Sequence, residues 1–259
     1  MKRRSALFLF FLATATALWS QNHCVWSKGG IIRKDTTQKC ITLVFTAADH
    51  ADGAHDILRT LRRERVKAGF FLTGKFLELY PHVVSRLVKA GHYVGSHSYG
   101  HLLYSPWDNP DSTTMSHAQF CEDIRRSYAL LAPYGITLQN APVFLPPYEH
   151  YNSTISQWAH EMGLQVICFT PGSTSNADYT TPDMKNYRSS QTILENILKL
   201  EEREGLNGHI MLFHLGTVDA RKDKFYHTHL RTLIRTLKKR GYRFEWEQKA
   251  PKPRRGNIT

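Results

Sequence analysis

The sequence is short of cysteine, of acidic residues and of long apolar runs. Cys24, Cys40, Cys121 and Cys168 are the only cysteines among 259 residues, and their spacing makes no zinc-knuckle pattern. In an oxidising compartment they pair in any of three ways, while the plain reading of Cys121 and Cys168 is a buried thiol. No stretch reaches the roughly 20 apolar residues needed to cross a bilayer, so no integral membrane segment is expected after export. No period of about 20 to 50 residues recurs, which argues against a solenoid. Asp and Glu number 22 against 34 Lys and Arg, a formal net charge of +12. Such a balance favours polyanionic surfaces. Part of the excess is terminal, in Lys2, Arg3, Arg4, Lys249, Lys252, Arg254 and Arg255. No helix-turn-helix, zinc-finger or RNA-binding motif accompanies it, so nucleic acid is not an expected partner.

Hydrophobic residues make up 41% of the chain and charged residues 22%, the composition of a folded globular protein. Residues 1–20 read as a cleaved secretory signal: a basic start, an apolar run from Ala6 to about Trp19, then small residues. Residues 21–248 form the expected domain and residues 249–259 a basic C-terminal tail. The mature protein is expected to be exported, periplasmic or secreted. Asn152 and Asn257 open glycosylation sequons, which matter only in a eukaryotic secretory route.

Apolar runs predict strands at Ile41–Thr46, Gly69–Thr73, Tyr93–Ser96, Val143–Leu145, Leu164–Phe169, His209–His214 and Gly241–Phe244. Between them, helical spacing covers 54–65, 76–89 with a break at Pro81, 116–131 with a capping box, 152–162, 189–202 and 223–240. Strand and helix alternate about seven times without a linker, which predicts one α/β domain with a largely parallel sheet, barrel or open. In such folds the chemistry sits at the carboxyl ends of the strands.

Titratable residues gather at those ends: Asp49, His50 and Asp52 after the first strand, His97 and His101 after the third, and Glu149 and His150 after the fourth. Asp178 and Asp183 lie in the loop after the fifth, and His214 closes the sixth. His97 and His101, four apart, suit one metal ion, with Asp49 the nearest carboxylate; two imidazoles and a carboxylate leave coordination positions open for catalysis. Tyr148, His150, Tyr151, Trp107 and Tyr179 are candidates for stacking on sugars, with at least one expected to be core.

The order of these motifs resembles the polysaccharide deacetylases, carbohydrate esterase family four, in an exported, Bacteroidetes-like branch. The resemblance rests on Thr46-Ala47-Ala48-Asp49, His97-Ser98-Tyr99-Gly100-His101, Leu145-Pro146-Pro147-Tyr148, Asp178 and Leu212-Phe213-His214. It implies a single distorted (β/α) barrel of about seven parallel strands. It also implies a divalent metal, Zn2+ by ligand type, on Asp49, His97 and His101. His214 then acts as general acid oriented by Asp178, with Asp183 the fallback. Pro147, Tyr148 and Tyr179 contact the substrate, an acetylated glycan from which N- or O-linked acetyl is removed.

Two positions depart from the family pattern. Ala48 stands where the family places a base, and Leu145 where it places the arginine that orients that base. Three readings follow. Glu149 or Asp52 serves as base; or Asp49 is the base and His50 enters the metal shell; or the metal site persists without hydrolysis. The rival functions are a glycan-binding protein on the same scaffold and a metal-dependent amidase of a small substrate.

Overall fold

The computed structural model describes residues 23–246; the signal segment and the basic tail lie outside them. Seven strands form one parallel sheet: β3 (Cys40–Ala47), β4 (Gly69–Leu72), β5 (Tyr93–Ser96), β6 (Val143–Phe144), β7 (Gln165–Val166), β8 (Ile210–His214) and β9 (Arg243–Phe244). The order is β7-β6-β5-β4-β3-β8, with β9 pairing the start of β3 on the edge away from β8. The central strands are buried on both faces, which is why they read as continuous apolar runs rather than alternating ones.

The connecting helices are α1 (Ala54–Glu64), α2 (Gly74–Leu79), α3 (Pro81–Lys89), α4 (His117–Leu131), α5 (Ser153–Glu161), α6 (Ser190–Glu204) and α7 (Phe225–Lys239). Pro81 splits the expected 76–89 helix in two by starting α3 at its first position. The capping box of Ser116 and Gln119 opens α4 as expected. Asn152 caps α5 and is buried, so it is no surface glycan acceptor.

The expected lead around Gly29-Gly30 is instead a hairpin, β1 (Val25–Ser27) and β2 (Gly30–Arg33). Its turn places Lys28 at φ 48° and Gly29 at φ 79°, the two positive φ values that a tight type I′ hairpin demands. The hairpin fills the gap between the sheet edges: Ile31 bridges to Ile167 just past β7, and Arg33 to His209 just before β8. Thr170 stitches the seam, its Oγ1 donating to Ile32 O (2.6 Å) and accepting from Ile210 N (2.9 Å). The sheet is thereby rolled into a distorted barrel.

Inside the barrel Ile31, Val44, Phe71, Val143, Leu145, Ile167, Ile210 and Leu212 pack together. Leu145 is fully buried there. An arginine at 145 would need its carboxylate, and Ala48 supplies none. Replacing a buried ion pair by well-packed apolar side chains is neutral or stabilising as often as not, so the double loss carries no folding penalty.

Candidate active site

The strand ends bring together His97, His101, Glu149, Asp178 and His214. His97 follows β5 and is buried. Its Nδ1–H donates to Leu145 O at 2.7 Å, which fixes the tautomer and leaves the Nε2 lone pair facing outward. Burial first, then neighbouring His101, holds His97 well below the usual imidazole range. Burial likewise lowers His101, with His214 adding to it. Both rings are therefore neutral, the form that ligates a metal. Their centroids lie 5.2 Å apart.

The turn between them is shaped by its backbone. Ser98 (φ 69°) and His101 (φ 50°) are both left-handed, and Ser98 Oγ accepts from His101 N at 2.8 Å. Asp123 on α4 accepts from Gly100 N (2.8 Å) and Tyr104 OH (2.6 Å) and holds the loop from behind. Gly74 lets α2 approach: a Cβ there would lie 2.3 Å from the Tyr99 ring.

Glu149 ends a short turn, Pro147–Glu149, after β6. Tyr148 (φ 58°) and Glu149 (φ 54°) are consecutive left-handed residues. Such a conformation costs about 1–3 kcal/mol per non-glycine residue and collects at functional sites. It turns the Glu149 carboxylate inward, 3.9 Å from His97 Nε2. Burial drives its pKa up to about 7, with His214 opposing and Asp178 assisting.

His214 ends β8, and Asp178 lies in a short 3-10 helix, Ser175–Tyr179. Asp178 grips His214 twice: Oδ1 is 2.6 Å from Nδ1, and Oδ2 accepts the backbone N–H at 2.9 Å. Burial disfavours the imidazolium, yet the Asp178 carboxylate outweighs it and raises His214 above its usual value. Asp183, the fallback, is exposed and bonds only its neighbour Thr181.

Asp49 stands apart from this group. Lys75 Nζ lies 3.0 Å from its Oδ2 and His50 Nε2 3.5 Å from its Oδ1. The hydrogen bond from Lys75 keeps it ionised below the usual carboxylate range. Among the described residues no three His, Cys, Asp or Glu side chains converge as a ready metal cage. His97 and His101 fit a divalent ion by tautomer, charge and spacing, whereas Asp49 is turned to Lys75. Asp52 is not available as a base: it accepts from Tyr226 OH, Lys224 Nζ (3.0 Å) and Thr217 N (2.9 Å), and those donors outweigh burial to keep it ionised.

The aromatic expectations divide. Tilted ring contacts join Tyr148 to His101 (4.5 Å between centroids), Trp107 to His150 (4.1 Å) and Tyr179 to His214 (4.9 Å). Tyr148, Trp107 and Tyr179 are exposed around the mouth. Tyr151 is core, its hydroxyl donating to Ser27 O. Pro147 is buried and shapes the turn rather than lining the cleft. Sequence reasoning missed Lys75, Asp123 and Arg221 as neighbours of the site. All three come from other segments, and no local pattern marks them.

The sequence profile of the polysaccharide deacetylase family matches residues 33–167, just over half the chain. A peptidoglycan-N-acetylglucosamine deacetylase of Listeria monocytogenes is 29% identical over 213 residues, covering 82% of this chain and 39% of that protein. A peptidoglycan-N-acetylmuramic acid deacetylase of Bacillus subtilis is 35% identical over 180 residues, covering 70% and 33%. This chain thus spans well under half of those relatives' length. The crystal structure of a carbohydrate esterase family 4 pseudoenzyme from Bacillus anthracis superposes with TM-score 0.65 at 22% identity, over 85% of this chain and 67% of that one.

Proposed function

The chain belongs to the polysaccharide deacetylase family, and from that premise we propose that it removes acetyl groups from a carbohydrate with Glu149 as the replacement base. The observation that carries this is the Glu149 carboxyl itself. It is largely but not fully buried, 3.9 Å from His97 Nε2, with its pKa pushed up to about 7, close to the working pH a general base needs. It enters from the β6 turn, whereas the family's base enters from β3, where Ala48 now stands.

In this reading Glu149 takes a proton from the attacking water. His214, protonated and oriented by Asp178, gives one to the departing amine or alcohol through Nε2. Tyr148 and Tyr179 offer ring faces to the sugar on either side. His97 and His101 would hold a divalent ion, zinc by ligand type, with Asp49 joining after leaving Lys75. Such an ion polarises an acyl carbonyl and acidifies water when bound. The basic, signal-bearing sequence suits an exported enzyme acting on an acetylated glycan of the cell envelope.

The test is acetate release from acetylated chito-oligosaccharides, peptidoglycan and acetylated xylan by residues 21–259, with bound metal measured in parallel. Glu149→Gln is expected to cut turnover by about 100-fold or more while leaving metal content intact. Equal rates in the two proteins would remove Glu149 as the base. A second reading, glycan binding without hydrolysis, is favoured by Ala48 and Leu145, which stand where the family places its base and the arginine that orients it. It predicts oligosaccharide binding but no acetate from any substrate, with or without added zinc or cobalt.

A further inference from the structure

Arg221 is a fully buried cation that the proposed chemistry does not use. It lies in the loop between β8 and α7 and ranks among the largest side chains with no exposure. Burying a guanidinium costs several kcal/mol unless its hydrogen bonds are met, so its partners show what it holds. One terminal nitrogen donates to Thr180 O (2.5 Å) and Arg188 O (3.0 Å), with Ala177 O and Thr180 Oγ1 further off at 3.5 Å. The other donates to Ser190 Oγ at 3.1 Å. Asp223 is 3.7 Å away and half exposed, and it also accepts from Ser190 N. Nε has no partner among the described residues. The guanidinium is thus satisfied mainly by backbone carbonyls of one segment, 177–188, rather than by a buried carboxylate. Ala177 and Thr180 flank Asp178 and Tyr179. The same loop begins seven residues earlier at His214.

We propose that Arg221 is a positioning residue for the acid pair: by clamping the carbonyls on both sides of Asp178 and Tyr179, it sets them against His214. The charge of Arg221 also opposes protonation of His214. Position and charge therefore act on His214 in opposite directions. Losing the clamp loosens Asp178 and lowers the proton affinity of His214; losing only the charge raises it. The proposal rests on His214 and Asp178 being the acid pair, but its test needs no turnover.

The charged or titratable groups facing His214 are Asp178, Glu149, His97, His101 and Arg221. NMR of 15N-histidine-labelled protein, residues 21–259 with the metal it carries, would follow the His214 ring against pH. In R221M the downfield Nδ1–H signal of the Asp178 hydrogen bond is expected to weaken and the His214 midpoint to fall. R221K, which keeps the charge but loses the planar fork, is expected to fall by more, because no lost charge offsets the loosened clamp. If R221M does not fold, R221K alone decides. An unchanged His214 midpoint in R221K, with only a lower Tm, would make Arg221 merely structural. A rise in R221M would make it a charge effect, and either result overturns the clamp. Where the wild type releases acetate, R221M is also expected to lose about 10- to 100-fold in kcat, as misplaced groups do. No acetate from the wild type, with the ring signals behaving as expected, would sink the deacetylase reading and leave the clamp standing.

Discussion

His214 and Asp178 show how one contact sets a pH dependence. The raised pKa of His214 means that its charged form is favoured in the fold. Its contribution to stability is full below the unfolded value of about 6.5 and is lost as pH climbs through the higher folded value. In the proposed reaction the acid works while protonated, so the alkaline limb of kcat is expected to track His214. Asp178→Asn removes the dominant favourable charge. The limb is expected to move to lower pH, and a pH–rate profile that stays in place would contradict the assignment. Lys75 and Asp49 pose a second question at this scale. Their side chains are 65% and 39% exposed, and an ion pair so exposed is worth about 0–1 kcal/mol. A bound divalent ion gains far more from a carboxylate, so Lys75 does not block the site. Lys75→Met should tighten zinc by about fivefold at most, read by competition with a chelator. A larger gain would mean that Lys75 is a true gate. That His97, His101 and His214 would lie together was legible because they follow or close parallel strands, whereas Asp178, in a loop helix beyond β7, was picked out only by the motif order. The choice of Glu149 over Asp52 was not legible: both carboxylates look alike in sequence, and only their partners separate them.

At the scale of elements, the seam between β2 and β8 decides whether the sheet is closed. The helices of 54–239 were readable from their periodicity and caps, and the strands between them as apolar runs, though β6, β7 and β9 shrink to two residues each. The hairpin was not, since three or four residues per strand leave no period to detect. Its one signal was the Lys28-Gly29 pair between two short apolar runs, and the bridges it makes, Ile31 to Ile167 and Arg33 to His209, reach far along the sequence. Thr170→Val tests the seam. It removes the hydroxyl that accepts from Ile210 N, leaving a buried donor unpaired. The expected loss is about 1–3 kcal/mol, measured by urea unfolding. A loss below that range would show that the seam is held by its backbone bonds and packing rather than by Thr170.

Across the whole molecule, exposed apolar surface is concentrated at one end. Leu102, Trp107, Tyr148, Tyr179, Met184 and Val218 are large exposed hydrophobics, and all six lie in loops that follow the carboxyl ends of the strands. Tyr148 lies against His101 and Tyr179 against His214, so exposed aromatic rings stand beside both groups of site residues. A small amide would leave most of that surface wet, whereas a sugar chain would cover it with alternating ring faces. Affinity should accordingly rise with oligosaccharide length. Trp107, in tilted ring contact with His150 at 4.1 Å, lies outside the catalytic groups and tests the point. One ring contact is worth about 0.5–1.5 kcal/mol, so Trp107→Ala should raise KM for a long acetylated oligosaccharide by up to about tenfold. It should leave hydrolysis of a small acetyl ester unchanged. Equal losses on both substrates would place Trp107 in the catalytic centre, and affinity that is flat with chain length would favour the small-substrate amidase instead.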